Sequence, residues 1–322
     1  MKRTAQSYAI LVITLAMLTA SQVVAQDKEK SKETQPKRVA GKAVLWEQVD
    51  PTTLDLYAGP GGEAMKPDLS KIEFIEEEKN GHNKKYRIKD GSGRTWVAKL
   101  GREAQPETAA VRLLYGLGYK TEVNYLVPSL TIPGKGTFEN VRVEARPDNV
   151  ERLDEWKWRD NPFVGTKELQ GLKMMMVFLN NWDVLDLQNK VIAVGDEDHY
   201  IVSDLGATFG RLGNNNLPII YRLGRKTGSP EHYSKTEFVD GVEDGEVKLS
   251  YKGKNRGLFE GFTVADAQWL AQRFDKLSDK QIGDAFRAAN YSPQEVATYV
   301  AAVRQKVTEL QNAASGNSVA GR

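Results

Sequence analysis

The first candidates for a chemical role are a lysine and a glutamate that lie eight residues apart in the chain. Lys99 lies in the strand-like stretch RTWVAKLG, and Glu107 lies at the start of the helix-like stretch that follows. A lysine held by a helix glutamate beside a sheet can bind the phosphates of a nucleotide. The ordinary alternative for Lys99 is a solvated lysine on an edge strand.

A second group of polar residues lies in FLNNWDVLDLQNK, where a predicted helix ends. Asp183 could orient a hydroxyl group or a water molecule, and the amide oxygen of Asn189 could help to hold a metal ion. Asparagine and aspartate are also common in any loop between a helix and a strand. Both interpretations of this loop stay open on local sequence alone.

A third candidate, Asp204, follows the strand-like run HYIVS and is followed by Gly206. Carboxylates are preferred ligands of hard divalent cations, and a glycine lets the backbone approach a ligand closely. A turn that uses aspartate is the alternative. The neighbouring Asp196–His199 stretch is interpreted as a solvated hairpin turn and not as a metal cluster.

The elements that would position these residues follow from the hydrophobic pattern. The alternation of apolar and polar residues predicts five strands before residue 148. A helix from Pro106 to Leu117 is predicted between the third and fourth of these strands. A helix over residues 169–179 then leads to a hairpin, and three capping boxes predict C-terminal helices. The predicted strands cover residues 71–78, 84–90, 94–101, 125–132, 139–147, 190–194 and 199–203, and the capping boxes are Thr263 with Asp266, Ser278 with Gln281, and Ser292 with Glu295.

Other parts of the chain are predicted to contribute to packing or to carry little regular structure. Met174, Met175 and Met176 are expected to fill the core, and Trp156 and Trp158 to pack near the junction of two lobes. Residues 211–262 are rich in glycine and asparagine and show few clear elements.

The N-terminus has the pattern of a secretory signal peptide. Lys2 and Arg3 precede an apolar run, and SQVVAQ offers a cleavage site after Ala25. The apolar run is well short of the roughly 20 residues that span a bilayer. Residues 1–25 are therefore predicted to be a signal peptide and residues 26–42 a polar tether, so that the protein is secreted or periplasmic without a stable membrane span.

Bulk composition excludes some classes of protein. The 322-residue chain has no cysteine, so it forms no disulfides and carries no lipid-anchor motif. Two of its 45 basic residues lie in the predicted signal peptide, so basic residues and the 43 acidic residues balance in the remaining chain. This balance argues against a nucleic-acid partner.

Together these motifs resemble the protein-kinase-like superfamily, within its atypical branch. ETAAVRLLYGLGY followed by YLVP resembles the helix and fourth strand of HipA-type kinases. NNWDVLDLQN is similar to the G-N-x-D-x-H-x-x-N loop of HipA-type, phosphoinositide and Golgi secretory-pathway kinases, and IVSDLGATFG to the segment that follows it. The resemblance covers roughly residues 70–210.

The resemblance implies an α+β, two-lobe protein-kinase-like fold, with a small β-rich N-lobe over residues 43–147 and a helical C-lobe over residues 148–322. A nucleotide cleft would lie near residues 145–160. The implied cofactors are ATP and Mg²⁺ or Mn²⁺. The implied site consists of Lys99 on the phosphates, Glu107 as its partner, Asp183 as the catalytic acid/base, and Asn189 and Asp204 as metal ligands, with the role of Asp186 open.

The sequence departs from the family pattern in three ways. No G-x-G-x-x-G precedes Lys99, where only Gly81 is present, and the chain lacks the cysteines of Golgi-type kinases. Asn189 lies six residues after Asp183, where five is usual, so that Gln188 could take part instead. Two functions follow: a phosphotransferase acting on an unknown protein, sugar or small-molecule acceptor, or a pseudokinase that binds nucleotide or a partner. Transfer of AMP would use nearly the same residues.

Overall fold

The computed structural model divides the chain into residues 1–40 and a larger unit, residues 41–322. The predicted signal peptide lies outside the described residues, as does most of the predicted tether, and the larger unit contains all the elements below. Within the described part of the chain, no helix is long and apolar enough to cross a membrane. The structure describes residues 38–79, 83–147, 150–212 and 225–316.

The N-terminal half is built mainly from strands. Its elements in chain order are β1 (Lys42–Val44), β2 (Glu73–Glu78), β3 (Lys85–Lys89), β4 (Thr95–Lys99), α1 (Ala104–Gly116), β5 (Asn124–Ile132) and β6 (Gly136–Ala145). Strands β2 to β6 form one antiparallel sheet in the order β2-β3-β4-β6-β5, and α1 follows its third strand in the chain, as predicted.

The two faces of this sheet differ in chemistry because side chains alternate along a strand. One face carries a hydrophobic core to which Tyr86, Trp96 and Val143 contribute. The residues that alternate with them point to the opposite face, where Lys99 on β4 lies directly across from Arg142 on β6. Both are at most 5% exposed, so this face buries charged groups.

Helix α1 packs away from that sheet core. Its apolar residues, which include Ala110, Leu113 and Leu114, belong to the large core of the C-terminal half. The helix begins two residues before the predicted Pro106, and Gly118 follows it with a φ of 93°. A Cβ at Gly118 would lie 2.5 Å from the carbonyl oxygen of Glu47, so both the backbone angle and the close approach favour glycine.

The C-terminal half is mainly helical, with short strands between its helices. Its elements are β7 (Glu151–Arg152), α2 (Lys167–Phe178), β8 (Asn189–Val194), β9 (Glu197–Val202), α3 (Pro230–Tyr233), β10 (Val239–Glu243), β11 (Glu246–Leu249), β12 (Phe262–Thr263), α4 (Val264–Phe274), α5 (Asp279–Arg287) and α6 (Pro293–Ala314). The predicted hairpin is present as β8 and β9, and all three predicted capping boxes are formed.

Several packing predictions are also confirmed. The three consecutive methionines of α2 are fully buried in the large core. Trp156 and Trp158 are buried in the same core, with ring centroids 4.9 Å apart in an edge-to-face contact.

Two features of the topology were not predicted. Strand β1 lies in the sequence range expected for the N-lobe, yet it pairs in parallel with β9 and completes a sheet in the order β1-β9-β8-β7. The range 211–262, part of which lies outside the described residues, contains the antiparallel sheet β10-β11-β12. Its strands are short and interrupted by glycine, so the alternating pattern is weak, although Asp244-Gly245 is a recognisable hairpin turn.

The chain has the predicted α+β fold, with a β-rich N-terminal part and a helical C-terminal part. Of the two hydrophobic cores, the smaller lies on one face of the five-stranded sheet, and the larger combines α1 with the C-terminal half. Three antiparallel strands, a helix, two further strands and then a mainly helical part follow one another in the order that the sequence predicts.

Candidate functional site

Lys99 is the centre of a cluster of carboxylates. It is the last residue of β4, which lies between β3 and β6, so it is not on an edge strand. Its Nζ lies 2.8 Å from Glu107 Oε2, 2.6 Å from Asp204 Oδ1 and 3.3 Å from Glu103 Oε2. The structure therefore brings together three of the five residues proposed from the sequence, and it adds Glu103.

These carboxylates decide the charge of Lys99. Burial alone would lower the pKa of a lysine, because the charged form loses its hydration. Here Glu107 and then Asp204 outweigh burial and raise the pKa of Lys99 above its ordinary value. The ammonium group is therefore a permanent cation at neutral pH, poised beside two carboxylates.

Glu107 is held from both sides. It lies in the first turn of α1 and is 2% exposed. One carboxylate oxygen accepts from Lys99, and the other lies 3.4 Å from Arg142 Nη2. Arg142 in turn lies 2.5 Å from Glu122 Oε2 and 3.1 Å from Glu144 Oε2. Sequence reasoning missed this arginine, although its alternation with Val141 and Val143 placed it on the same face as Lys99.

Glu122 connects this buried network to the segment that carries Asp204. Its Oε1, the oxygen that Arg142 does not contact, lies 3.1 Å from Arg152 Nη2 and accepts a 2.6 Å hydrogen bond from Ser203 Oγ. Burial would raise the pKa of Glu122, but Arg142 and Arg152 overcome it and lower the pKa to about 2. The charges of the sheet and the residue before Asp204 therefore form one connected system.

Asp204 lies just after β9, with a positive φ of 55°. Its side chain is 51% exposed, so one face of the carboxylate remains accessible while Lys99 holds Oδ1. Burial opposes its ionisation, yet Lys99 keeps the pKa of Asp204 below its usual value. Gly206 allows this turn to form, because a Cβ there would lie 2.5 Å from the Cβ of Glu103.

Asn189 begins β8 directly across from Val202, the last residue of β9. It is fully buried, and its Nδ2 donates to the carbonyl oxygen of Trp156 at 3.1 Å. Its Oδ1 has no hydrogen-bond donor in the described structure. A buried amide oxygen without a partner is uncommon, and such an oxygen is a suitable ligand for a hard cation. Asn189 and the carboxylate of Asp204 together offer the oxygen chemistry that Mg²⁺ or Mn²⁺ requires.

Both ends of the Gln188 side-chain amide make hydrogen-bond contacts. Its Oε1 accepts from the backbone of Leu185 at 3.1 Å, and its Nε2 lies 3.3 Å from Asp183 Oδ2. If the amide were flipped, its NH₂ group would face the Leu185 N–H and its oxygen would face the Asp183 carboxylate. Both contacts would be repulsive, so the hydrogen-bond partners fix the orientation of the amide. A short 3₁₀ turn, Asp186–Gln188, accommodates the extra residue. Within the described residues, the Gln188 amide oxygen has a hydrogen-bond donor and the Asn189 amide oxygen has none.

Asp183 lies at the end of α2 in a loop that is separate from the Lys99 cluster. Its side chain is 31% exposed, and its backbone N–H donates to Asn181 Oδ1 at 3.0 Å. Within the described residues it forms no hydrogen bond or ion pair with Lys99 or Asp204. The link is indirect, because Gln188 contacts Asp183 with its side chain and accepts from the backbone of Ser203 at 2.9 Å. Asp186 accepts from the backbone of Trp158 at 2.9 Å, so it shapes the loop.

Lys254 is the residue near Asp183 that the sequence did not reveal. Its Nζ forms a close ion pair with Asp183 Oδ1, and its backbone N–H donates to the carbonyl oxygen of Trp182 at 2.9 Å. Lys254 lies between β11 and β12, in the range that carries no recognisable motif. Only the alternation of basic residues and glycine in YKGKNRG could have drawn attention to it.

Comparisons with known proteins were made by sequence and by structure. No protein-family model matches the sequence, and no curated protein shows significant sequence similarity to it. The structure is similar to the crystal structure of the Helicobacter pylori proinflammatory kinase CtkA, with 10% identity, a TM-score of 0.49, and coverage of 78% of this chain and 97% of that chain. It is similar to the Rio2 kinase of Chaetomium thermophilum in an ADP/Mg²⁺-phosphoaspartate complex, with 11% identity, a TM-score of 0.31, and coverage of 74% and 72%.

Proposed function

We propose that this protein is an atypical kinase-like phosphotransferase that uses ATP and a divalent metal ion. The observation that carries the proposal is the meeting of three segments at Lys99. The strand lysine lies within hydrogen-bond distance of both a glutamate of the next helix and the carboxylate of Asp204, which is 105 residues further along the chain. Burying a lysine and a glutamate is costly unless their geometry is fixed and useful. A fixed cation beside an accessible carboxylate suits the binding of a metal–phosphate group.

Each proposed residue has one task in this scheme. Lys99, held by Glu107, would donate to phosphate oxygens of the nucleotide. The Asp204 carboxylate and the Asn189 amide oxygen would hold Mg²⁺ or Mn²⁺. When bound, the metal ion would offset the negative charge of the phosphate groups. To hold a metal ion, the Asp204 carboxylate would give up part of its present contact with Lys99.

Asp183 would act on the acceptor. The acceptor hydroxyl oxygen forms a bond to the γ-phosphorus, and the bond from that phosphorus to the bridging oxygen breaks with its electron pair leaving on ADP. The hydroxyl proton passes to an Asp183 oxygen. Gln188 would orient the carboxylate by donating to Oδ2. Lys254 would have to move from Oδ1; the pair is partly exposed, and ion pairs near the surface contribute about 1 kcal/mol or less.

The first test is thermal stabilisation by ATP with Mn²⁺. We expect the wild type to be stabilised and Asp204→Asn to lose most of the shift, because the variant lacks the carboxylate charge. Asp196→Asn is the matched control, since Asp196 is an exposed carboxylate in the turn of the same hairpin. If ATP with Mn²⁺ leaves the wild-type melting temperature unchanged, the proposal of a nucleotide site is wrong.

The second candidate is a pseudokinase, and three observations favour it. The Asn189 oxygen is fully buried, both Asp183 oxygens have partners, and Lys99 already contacts three carboxylates. A transfer of labelled phosphate from ATP that disappears in Asp183→Asn would exclude this candidate. Labelling from the α-phosphate instead of the γ-phosphate would indicate AMP transfer.

Secretion is a further part of the proposal. It is supported by the charge, apolar run and cleavage site in residues 1–25. Mass spectrometry of the exported protein should find Gln26 as its first residue.

A further inference from the structure

One charged surface next to Asp183 has no task in the scheme above. Residues 250–257, SYKGKNRG, form what we call the basic loop, which carries Lys252, Lys254 and Arg256 and no carboxylate. All three side chains are exposed. Lys254 pairs with Asp183, whereas Lys252 and Arg256 form no ion pair with any residue that the structure describes.

The basic loop is docked onto the protein and holds its charges in place. Gly253 packs so closely that a Cβ there would lie 2.6 Å from Trp182 Cα. The ring of Tyr251 contacts that of Phe259, with centroids 4.1 Å apart. Together with the backbone hydrogen bond from Lys254 to Trp182, these contacts fix the loop beside the residue that precedes Asp183.

A fourth cation extends this surface. Arg159 is exposed and follows Trp158 in the chain. The backbone N–H of Trp158 donates to Asp186, which lies in the same loop as Asp183. Arg159 Nη2 lies only 3.2 Å from where a Cβ of Gly257 would be, so it adjoins the end of the basic loop. Burial, and then the charge of Arg159, lower the pKa of the neighbouring Lys173, as expected in a region of positive potential. We call Arg159, Lys252, Lys254 and Arg256 the cationic surface.

We propose that the cationic surface binds an acidic polypeptide segment and presents one of its hydroxyl side chains to Asp183. The identification of this segment as the acceptor rests on the proposed phosphotransferase function. Like charges fixed close together repel one another, and an anionic partner removes that cost. The cations are exposed, Lys254 pairs with Asp183, and Arg159 adjoins the end of the basic loop, so they form one accessible surface beside Asp183. Such a surface suits an extended acidic chain better than a small anion.

Direct binding tests the surface without requiring turnover. The probe is a labelled synthetic peptide with one serine among glutamates, and fluorescence anisotropy measures its binding to the full protein in the presence of ADP and Mn²⁺. Peptides with glutamines or lysines in place of the glutamates are the controls. We expect the acidic peptide alone to bind, and its affinity to fall as salt is added, because screening weakens exposed charge pairs.

The matched variants change residues that do not touch Asp183. Lys252→Glu with Arg256→Glu reverses two charges of the surface, and we expect binding of the acidic peptide to weaken by at least about tenfold at low salt. Lys276→Glu with Lys280→Glu reverses two exposed charges, one between α4 and α5 and one in the first turn of α5, and should leave binding unchanged. Thermal stabilisation by ATP with Mn²⁺ should be the same in both variants and in the wild type.

The outcomes separate this proposal from the proposed function. If ATP binds but the acidic peptide does not, or if the surface variant binds it normally, the docking proposal is overturned and the nucleotide site is unaffected. If the peptide binds as predicted but ATP does not, the surface is supported and the phosphotransferase proposal fails. Tighter binding of a single-stranded oligonucleotide with the same residue dependence would overturn the choice of a polypeptide partner.

Discussion

The Lys99 cluster and the Asp183 loop handle charge in opposite ways. Around Lys99 the charged groups of the sheet face and of α1 are buried, and Lys99, Glu107, Arg142 and Glu122 each contact more than one charged partner, while Asp204 is half-exposed. Around Asp183 the charges are partly exposed, and one exposed lysine provides the ion pair. The first arrangement fixes geometry at a high desolvation cost, whereas the second can be rearranged at little cost.

This difference fits two kinds of binding partner. A nucleotide phosphate group has a constant shape, so a rigid cation at Lys99 can be matched to it in advance. An acceptor must enter, react and leave, and an exposed pair such as Asp183 with Lys254 can open and close as it does so. The difference to test is therefore that the Lys99 cluster is rigid and the Asp183 loop is adaptable.

The largest expected effect is on the buried side. Arg142→Leu should lower the free energy of unfolding by about 3–5 kcal/mol, because it leaves Glu107, Glu122 and Glu144 buried without their shared cation. Urea unfolding monitored by circular dichroism measures this change. Arg87→Leu is the matched control on the same sheet, since Arg87 is 39% exposed and pairs with glutamates of β2. A loss of less than about 1 kcal/mol in Arg142→Leu would mean that the network does not stabilise the fold.

Glu122 should produce a smaller, pH-dependent effect. Its pKa in the folded protein is about 2, below the usual value of 4.5, so its stabilisation is complete above that usual value. Stability should therefore fall as the pH is lowered from about 4.5 towards 2, where Glu122 becomes protonated in the folded state. Glu122→Gln should be less stable than the wild type at neutral pH and should lose less stability over this interval. Equal slopes for both proteins would contradict the assignment.

The smallest stability effect should come from the exposed side. Lys254→Ala should change the free energy of unfolding by no more than about 1 kcal/mol, since exposed ion pairs contribute little. A loss comparable with that of Arg142→Leu would show that the Asp183 loop is not adaptable. Lys254→Arg, which keeps the charge, separates loss of charge from loss of packing.

The sequence revealed the residues whose surroundings are local. Lys99 and Glu107 lie on consecutive elements, and the hairpin that places Asp204 has a clear alternating pattern, so their positions could be inferred. Capping boxes marked three helix starts correctly for the same reason. The roles of these residues remain predictions until nucleotide binding is measured.

Nonlocal contacts could not be inferred in this way. Lys254 reaches Asp183 because the β11–β12 connection docks on Trp182, and no local pattern encodes that docking. The pairing of β1 with β9 likewise depends on chain path and not on the composition of either strand. Arg142 is an intermediate case. The alternation of side chains along β6 indicates that Arg142 lies on the face opposite the hydrophobic core, but it does not reveal the three carboxylates that Arg142 contacts there.

The central claim is that Lys99 and Asp204 form a nucleotide–metal site, and calorimetric titration with ATP and Mn²⁺ tests it most directly. The wild type and Asp196→Asn should bind with equal affinity, and Asp204→Asn should bind at least about tenfold more weakly, because it lacks the carboxylate that would hold the metal. Binding by the wild type that is unchanged in Asp204→Asn, or no binding at all, would contradict the claim.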